Sequence, residues 1–143
     1  MYIKKLNENA KVPTRGSKGA AGYDLYACTD GEEIVIPPYE TRKIHTGIAV
    51  AVPSSHFGAI FARSGIAVKK GLRPANAVGV IDEDYTGEVV VALHNDSNSY
   101  QTVADGERIA QLVFVPYRTE FFEVVDNLDE TERGAGGFGS TGV

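Results

Sequence analysis

The stretch "RGAGGFGSTGV" (133–143) decides how the rest of the chain is read, because Gly134, Gly136 and Gly139 spell G-x-G-x-x-G. Taken as a dinucleotide-binding loop, it would demand a doubly wound α/β fold. That pattern has physical meaning only where a strand precedes it and a helix follows, so that the helix N-terminus meets the pyrophosphate. Only the four residues "STGV" follow Gly139, which leaves no room for a helix. The Rossmann reading therefore fails, and the fold has to be read from the residues upstream.

Upstream, helix signals are scarce. Short apolar runs rich in β-branched and aromatic residues alternate with turn residues, which is the grammar of strands. The predicted strands are "YIKKL" (2–6), "YDLYAC" (23–28), "EIVIPP" (33–38), "RKIHTGIAVAVP" (42–53), "HFGAIFA" (56–62), "GEVVVALHND" (87–96), "RIAQLVFVPY" (108–117) and "EFFEVVD" (120–126). Pro37-Pro38, "NDSNS" (95–99) and "ADGE" (104–107) punctuate them as turns. Many strands at short spacing predict an all-β fold, a distorted jelly roll or β-barrel-like sandwich. From residue 127 the apolar pattern stops. The expected organisation is one all-β domain over 1–126 and a mobile, flexible glycine-rich C-terminal arm over 127–143.

With 143 residues, the chain is long enough to bury a core of its own. Its 43% hydrophobic and 23% charged content is that of a soluble globular protein. The opening "MYIKKLNENA" has no apolar signal-peptide core, and no run approaches a membrane span. The one cysteine, Cys28, cannot form an intrachain disulfide, which fits a reducing cytoplasm. A formal net charge of −5 argues against a nucleic-acid coat, which needs a basic face. A phosphate-bearing small molecule is not excluded, since it needs only a few local cations.

Five segments break the strand pattern. In "GAAGYDLYA" (19–27), Asp24 interrupts an apolar strand, and by itself reads as an edge-strand carboxylate satisfied by backbone donors. In "FARSGIAVKKGL" (61–72), Arg63, Ser64 and Gly65 leave a strand where a guanidinium, a hydroxyl and backbone N–H groups can converge on an anion. An ordinary turn with a surface arginine is the alternative. In "NAVGVIDEDYTGEV" (76–89), an apolar run delivers Asp82 at its end, with Tyr85 and Gly87 beyond. That is good hairpin chemistry, and equally a place for an aspartate that holds a water as general base. In "GERIAQLVFVPY" (106–117), Gln111 sits in an apolar strand and needs partners there. The glycine-rich arm is the fifth. His45, His56 and His94 show no metal-ligand spacing. Walker A, H-E-x-x-H and G-x-S-x-G motifs are all missing from the sequence.

In this order, the five segments resemble the five motifs of the trimeric dUTP diphosphatase (dUTPase) family: "AGYDLYA", "RSGIAVKKGL", "NAVGVIDEDYTGE", "GERIAQLVF" and "RGAGGFGSTG". The resemblance spans residues 21 to 142. One departure is Thr86, where many members carry Arg at an exposed turn position. The resemblance implies hydrolysis of dUTP to dUMP and pyrophosphate, with Mg²⁺, at sites shared between the subunits of a homotrimer. By matching positions it implies that Asp82 activates the attacking water, and that Arg63, Ser64, Gly65 and Gln111 grip the phosphates. It also implies that Asn76, Gly79, Val80 and Ile81 read uracil, while Tyr85 lies against the deoxyribose. Mg²⁺ would be held by phosphates and water, with Asp24 acting at most through the water shell. The arm would be a lid: Phe138 over the uracil, and Arg133, Gly139, Ser140 and Thr141 on the terminal phosphates. Two rival readings stand beside this one: a dCTP deaminase-like enzyme on the same fold, and a non-catalytic nucleotide-binding regulator.

Overall fold

Twelve strands and one short helix make up the regular structure of residues 1–137, the part of the chain that the computed structural model describes. In chain order they are β1 (Ile3–Lys5), β2 (Thr14–Arg15), β3 (Tyr23–Tyr26), β4 (Ile34–Ile36), β5 (Thr41–His45), β6 (Ile48–Val50), β7 (His56–Phe61), α1 (Ser64–Lys70), β8 (Leu72–Pro74), β9 (Gly79–Ile81), β10 (Val90–Asn95), β11 (Gln101–Val103) and β12 (Arg108–Pro116). All strand pairs are antiparallel. The largest sheet runs β2-β3-β12-β7-β9, and a second runs β5-β10-β8. Two-stranded ladders, β1-β6 and β11-β4, complete the all-β fold. Among the described residues the sheets do not close, so the barrel-like part of the expectation is replaced by open, packed sheets.

Strand periodicity places the core. β10 buries every second residue, so Val91, Leu93 and Asn95 point inward. They meet Leu25, Ile36, Ile44, Leu72, Val103 and Ile109, all essentially without solvent contact. Asn95 is the polar member of this layer. Its amide donates to the carbonyls of Ile36, Pro37 and Ser99, and its oxygen accepts from the Ser97 N–H and hydroxyl. With every bond made, it ties the 36–40 turn to the end of β10.

Three elements differ from the sequence expectation. The run 42–53 divides into β5 and β6, because Gly47 takes a φ of 66° and packs where a Cβ would lie 2.8 Å from that of Ala10. α1 was not foreseen. It has only seven residues and its Arg63 N-cap makes no side-chain cap, although Gly71 in the left-handed region closes its C-terminus. The predicted strand 120–126 does not form: after β12 the described chain makes no ladder. Phe121, Phe122 and Val124 are fully exposed there, so the residues have strand composition but no partner strand among the described residues.

Candidate functional site

β12 is the axis of the site. It pairs with β3 on one side and β7 on the other, so Gln111 stands between Asp24 and Phe61. The β3 ladder slips between Arg108 and Ala110. Residues three apart on a regular strand face opposite sides. The extra residue cancels that, burying both Ile109 and Ala110 and turning Arg108 and Gln111 towards the same side. There they line a cavity of about 430 Å³ together with Gly16, Gly22, Asp24, Arg63 and Ser64.

Charge inside this cavity is ordered around Asp24. Arg63 Nε donates to its Oδ1 at 2.6 Å, and an Arg108 Nη donates to its Oδ2 at 3.2 Å. Asp24 is therefore no edge-strand carboxylate satisfied by backbone donors. It sits inside the sheet and fixes two guanidiniums, which leaves a net positive cavity. Gln111 Nε2 donates to the Ala62 carbonyl at 2.9 Å, just before Arg63. Ser64 and Gly65 open α1 in exposed positions, and nothing lies within 4 Å of where a Gly65 Cβ would stand. Convergent guanidiniums and free first-turn N–H groups suit a polyphosphate.

A second, smaller cavity of about 150 Å³ lies beside the turn that leads into β9. Asn76, Gly79, Val80 and Ile81 line it with Ile60 and Pro74. Mostly apolar walls with one carboxamide suit a flat heterocycle. Asp82 is elsewhere. It follows β9 in an exposed turn in which the Tyr85 N–H donates to its carbonyl. The Tyr85 ring lies against Gly87, where a Cβ would be 2.5 Å from the phenol oxygen, and its hydroxyl donates to the Glu88 carbonyl.

These groups do not meet within one chain. The β7–β9 register sets Gly58 opposite Ile81, so Asp82 follows at the level of Phe57. Arg63 leaves the other end of β7, beyond Phe61. Six residues of extended chain separate the two levels by roughly 20 Å. Arg133 is described and exposed, its Nε donating to the Gly136 carbonyl. Phe138, Gly139, Ser140 and Thr141 lie outside the described residues.

Sequence reasoning missed Arg108. Its signal was weak, because at period two it belongs to the face opposite Gln111, and only the bulge brings them together. Among the described residues no three His, Cys, Asp or Glu side chains gather as metal ligands. His45 faces Glu88, His94 faces Thr41 and Asp96, and His56 faces the Ser54 carbonyl.

A family model described as dUTPase matches residues 8–142. The deoxyuridine 5'-triphosphate nucleotidohydrolase of Desulfitobacterium hafniense (strain DSM 10664 / DCB-2) is 50% identical over 143 residues, covering 99% of this chain and 93% of that protein. The protein of the same name from Paramecium bursaria Chlorella virus 1 is 43% identical, covering 100% and 98%. Among solved structures, the Staphylococcus bacteriophage 80alpha dUTPase with dUPNHPP superposes with a TM-score of 0.90 at 32% identity, over 99% and 98% of the two chains. A mutant dUTPase from phage phi11 of S. aureus, described with a structural Mg(II) ion, superposes at 0.81 and 26% identity, over 90% and 98%.

Proposed function

Since the chain belongs to the dUTPase family and hydrolyses dUTP to dUMP and pyrophosphate, we propose that each active site is assembled from several copies of it in a homotrimer. In this reading Arg63, Ser64, Gly65 and Gln111 of one copy hold the phosphates. Asp82 of another copy takes a proton from the water that attacks the α-phosphorus. What supports it is the separation of roughly 20 Å between the two ends of β7, since base and phosphate grip must lie within a few ångströms of one phosphorus.

The Asn76 side chain and the backbone of Gly79, Val80 and Ile81 read uracil. Cytosine would set a donor against a donor there and leave both unpaired. Tyr85 gates the sugar. Asp24, both of whose oxygens are taken by arginines, would reach a Mg²⁺ ion only through its water shell; held by the substrate's phosphates, the ion would supply charge neutralisation for the pyrophosphate leaving group.

Residues 127–143 form the arm, with Arg133, Phe138, Gly139, Ser140 and Thr141 closing over a neighbour's site. The uncovered Phe121, Phe122, Val124 and Leu128 support an arm that packs on another copy. Among the described residues no helix is long and apolar enough to cross a membrane. We place the protein in the cytoplasm, a reading supported by its one cysteine, Cys28, being free.

Mixed trimers test the shared site. Arg63→Ala and Asp82→Asn chains should each be nearly inactive alone, the second by roughly 10²–10⁴-fold. Refolded together, every hybrid trimer contains one site with an intact Arg63 facing an intact Asp82, so hybrids should show about a third of full activity. Inactive hybrids, verified by native mass spectrometry, would overturn the shared site while leaving dUTP hydrolysis untouched.

A further inference from the structure

The Asp82 turn projects from the sheet, with residues 82–86 all exposed, yet a base must hold its water to within a fraction of an ångström. β9 anchors the turn on one side, and the Tyr85–Glu88 hydrogen bond closes it on the other. A third tether crosses to a different part of the chain. The Glu83 Oε2 accepts the Ser55 backbone N–H at 2.6 Å.

Ser55 is a well-defined anchor. It lies in the turn that precedes β7 and holds a φ of 58°. The His56 N–H donates to the Pro53 carbonyl, locking that turn. The Ser55 carbonyl accepts from the Tyr117 N–H at 3.0 Å, and Tyr117 sits edge-on against Phe57. Desolvation and the neighbouring Glu83 carboxylate push the Tyr117 hydroxyl pKa up. Tyr117 is the first residue past β12, where the chain leaves the sheet towards the arm.

We propose that Glu83 is a positioning residue for Asp82, fixing the turn that carries the base onto the Ser55 N–H beside the exit of β12. This rests on Asp82 being the base. Glu83 acts here as a hydrogen-bond acceptor of a given reach, and its negative charge is incidental. One residue, Ser55, thereby joins the Asp82 turn to the chain leaving β12: its N–H holds Glu83 and its C=O holds Tyr117.

Reach and charge are separable. Glu83→Gln keeps the length and an acceptor oxygen but removes the charge. Glu83→Asp keeps the charge but withdraws it by about 1.5 Å, a single carbon–carbon bond. In the full-length enzyme, Glu83→Asp and Glu83→Ala should lower kcat for dUTP by about 10- to 100-fold, with KM within roughly two-fold of wild type. Glu83→Gln should recover most of that kcat. Amide hydrogen exchange at Ser55 should be slow in the wild type and Glu83→Gln, and faster in Glu83→Asp. Wild-type kcat in Glu83→Asp would overturn the inference. So would a Glu83→Gln enzyme as slow as Glu83→Ala, which would assign the effect to charge, or a rise in KM at constant kcat. Asp82→Asn, measured alongside, separates the premise: if it turns over normally, Asp82 is not the base. If it is inactive while Glu83→Asp is fully active, only the positioning role falls.

Discussion

Arg108 and Gln111, three residues apart on one strand, face the same cavity because the ladder to β3 slips between Arg108 and Ala110. Their partners on β3 share a face for the ordinary reason: Tyr26 and Asp24, opposite Arg108 and Gln111, are two residues apart. A one-residue irregularity thus assembles a cation, a carboxylate and a carboxamide on one wall. The carboxylate then turns a second cation, Arg63, towards the same space.

Asp24→Asn should leave the fold intact and reduce kcat/KM for dUTP about 10²-fold, the size of effect that a misplaced positioning group produces. Asn still offers one oxygen to Arg63 but no longer balances two guanidiniums. Thermal stability should change little, because Arg108 is exposed and can hydrate its charge. Steady-state kinetics beside a melting curve check both halves. Unchanged kcat/KM would mean that Arg63 needs no carboxylate to aim it.

The strands with long, regular alternation were legible from the sequence, and Val90–Asn95 is the clearest, because burial on one face writes a period of two directly into residue type. What departed from that period was not legible. The bulge at Ile109 leaves no compositional mark, since one extra apolar residue in an apolar strand looks like continuation. The seven-residue α1 is too short to show a helical period. Residues 120–126 misled in the other direction. Their composition is that of a strand, but a strand is a relation between two segments, and no partner segment exists within the described chain. Asp24 and Gln111 stood out as polar residues inside apolar strands, Arg63 and Asp82 as polar residues at strand ends, and Asn76 was marked only by the family resemblance. Their division between two ends of β7 could be seen only once the register was known.

Gly22 is where sequence and site are most tightly bound. A Cβ there would stand 2.5 Å from Gln111 Oε1 and 3.2 Å from its Cβ and Cδ. Gly22→Ala should therefore swing Gln111 aside and break its bond to the Ala62 carbonyl, costing about 1 kcal/mol of stability and more in activity. In a Gln111→Ala background most of that cost should disappear, because the clashing atoms are gone. The double-mutant cycle measures this coupling directly. Additive effects would show that Gly22 is needed for some other reason.

Glu88 gives the fold a dependence on pH. Burial by itself would raise its pKa, but the hydrogen bonds from His45 Nδ1 and the Gly47 N–H, each 2.8 Å, outweigh burial and hold the carboxyl below its ordinary value of 4.5. A folded-state pKa below the unfolded one means that the ionised group stabilises the fold above about 4.5. That contribution fades as the pH falls through the lowered folded value. Glu88→Gln removes the charge-assisted part of both bonds, so at pH 7 it should cost about 1.5 kcal/mol. The gap between wild type and variant should be present at pH 7 and should narrow steadily as the pH falls below about 4.5 and the wild-type carboxylate takes up its proton. Urea titrations of both proteins from pH 7 to pH 3, at one fixed protein concentration because the stability of the proposed trimer would depend on it, give the comparison. A gap that persists undiminished at pH 3 would show that Glu88 holds the Gly47 turn by shape and neutral hydrogen bonding, with its charge contributing nothing.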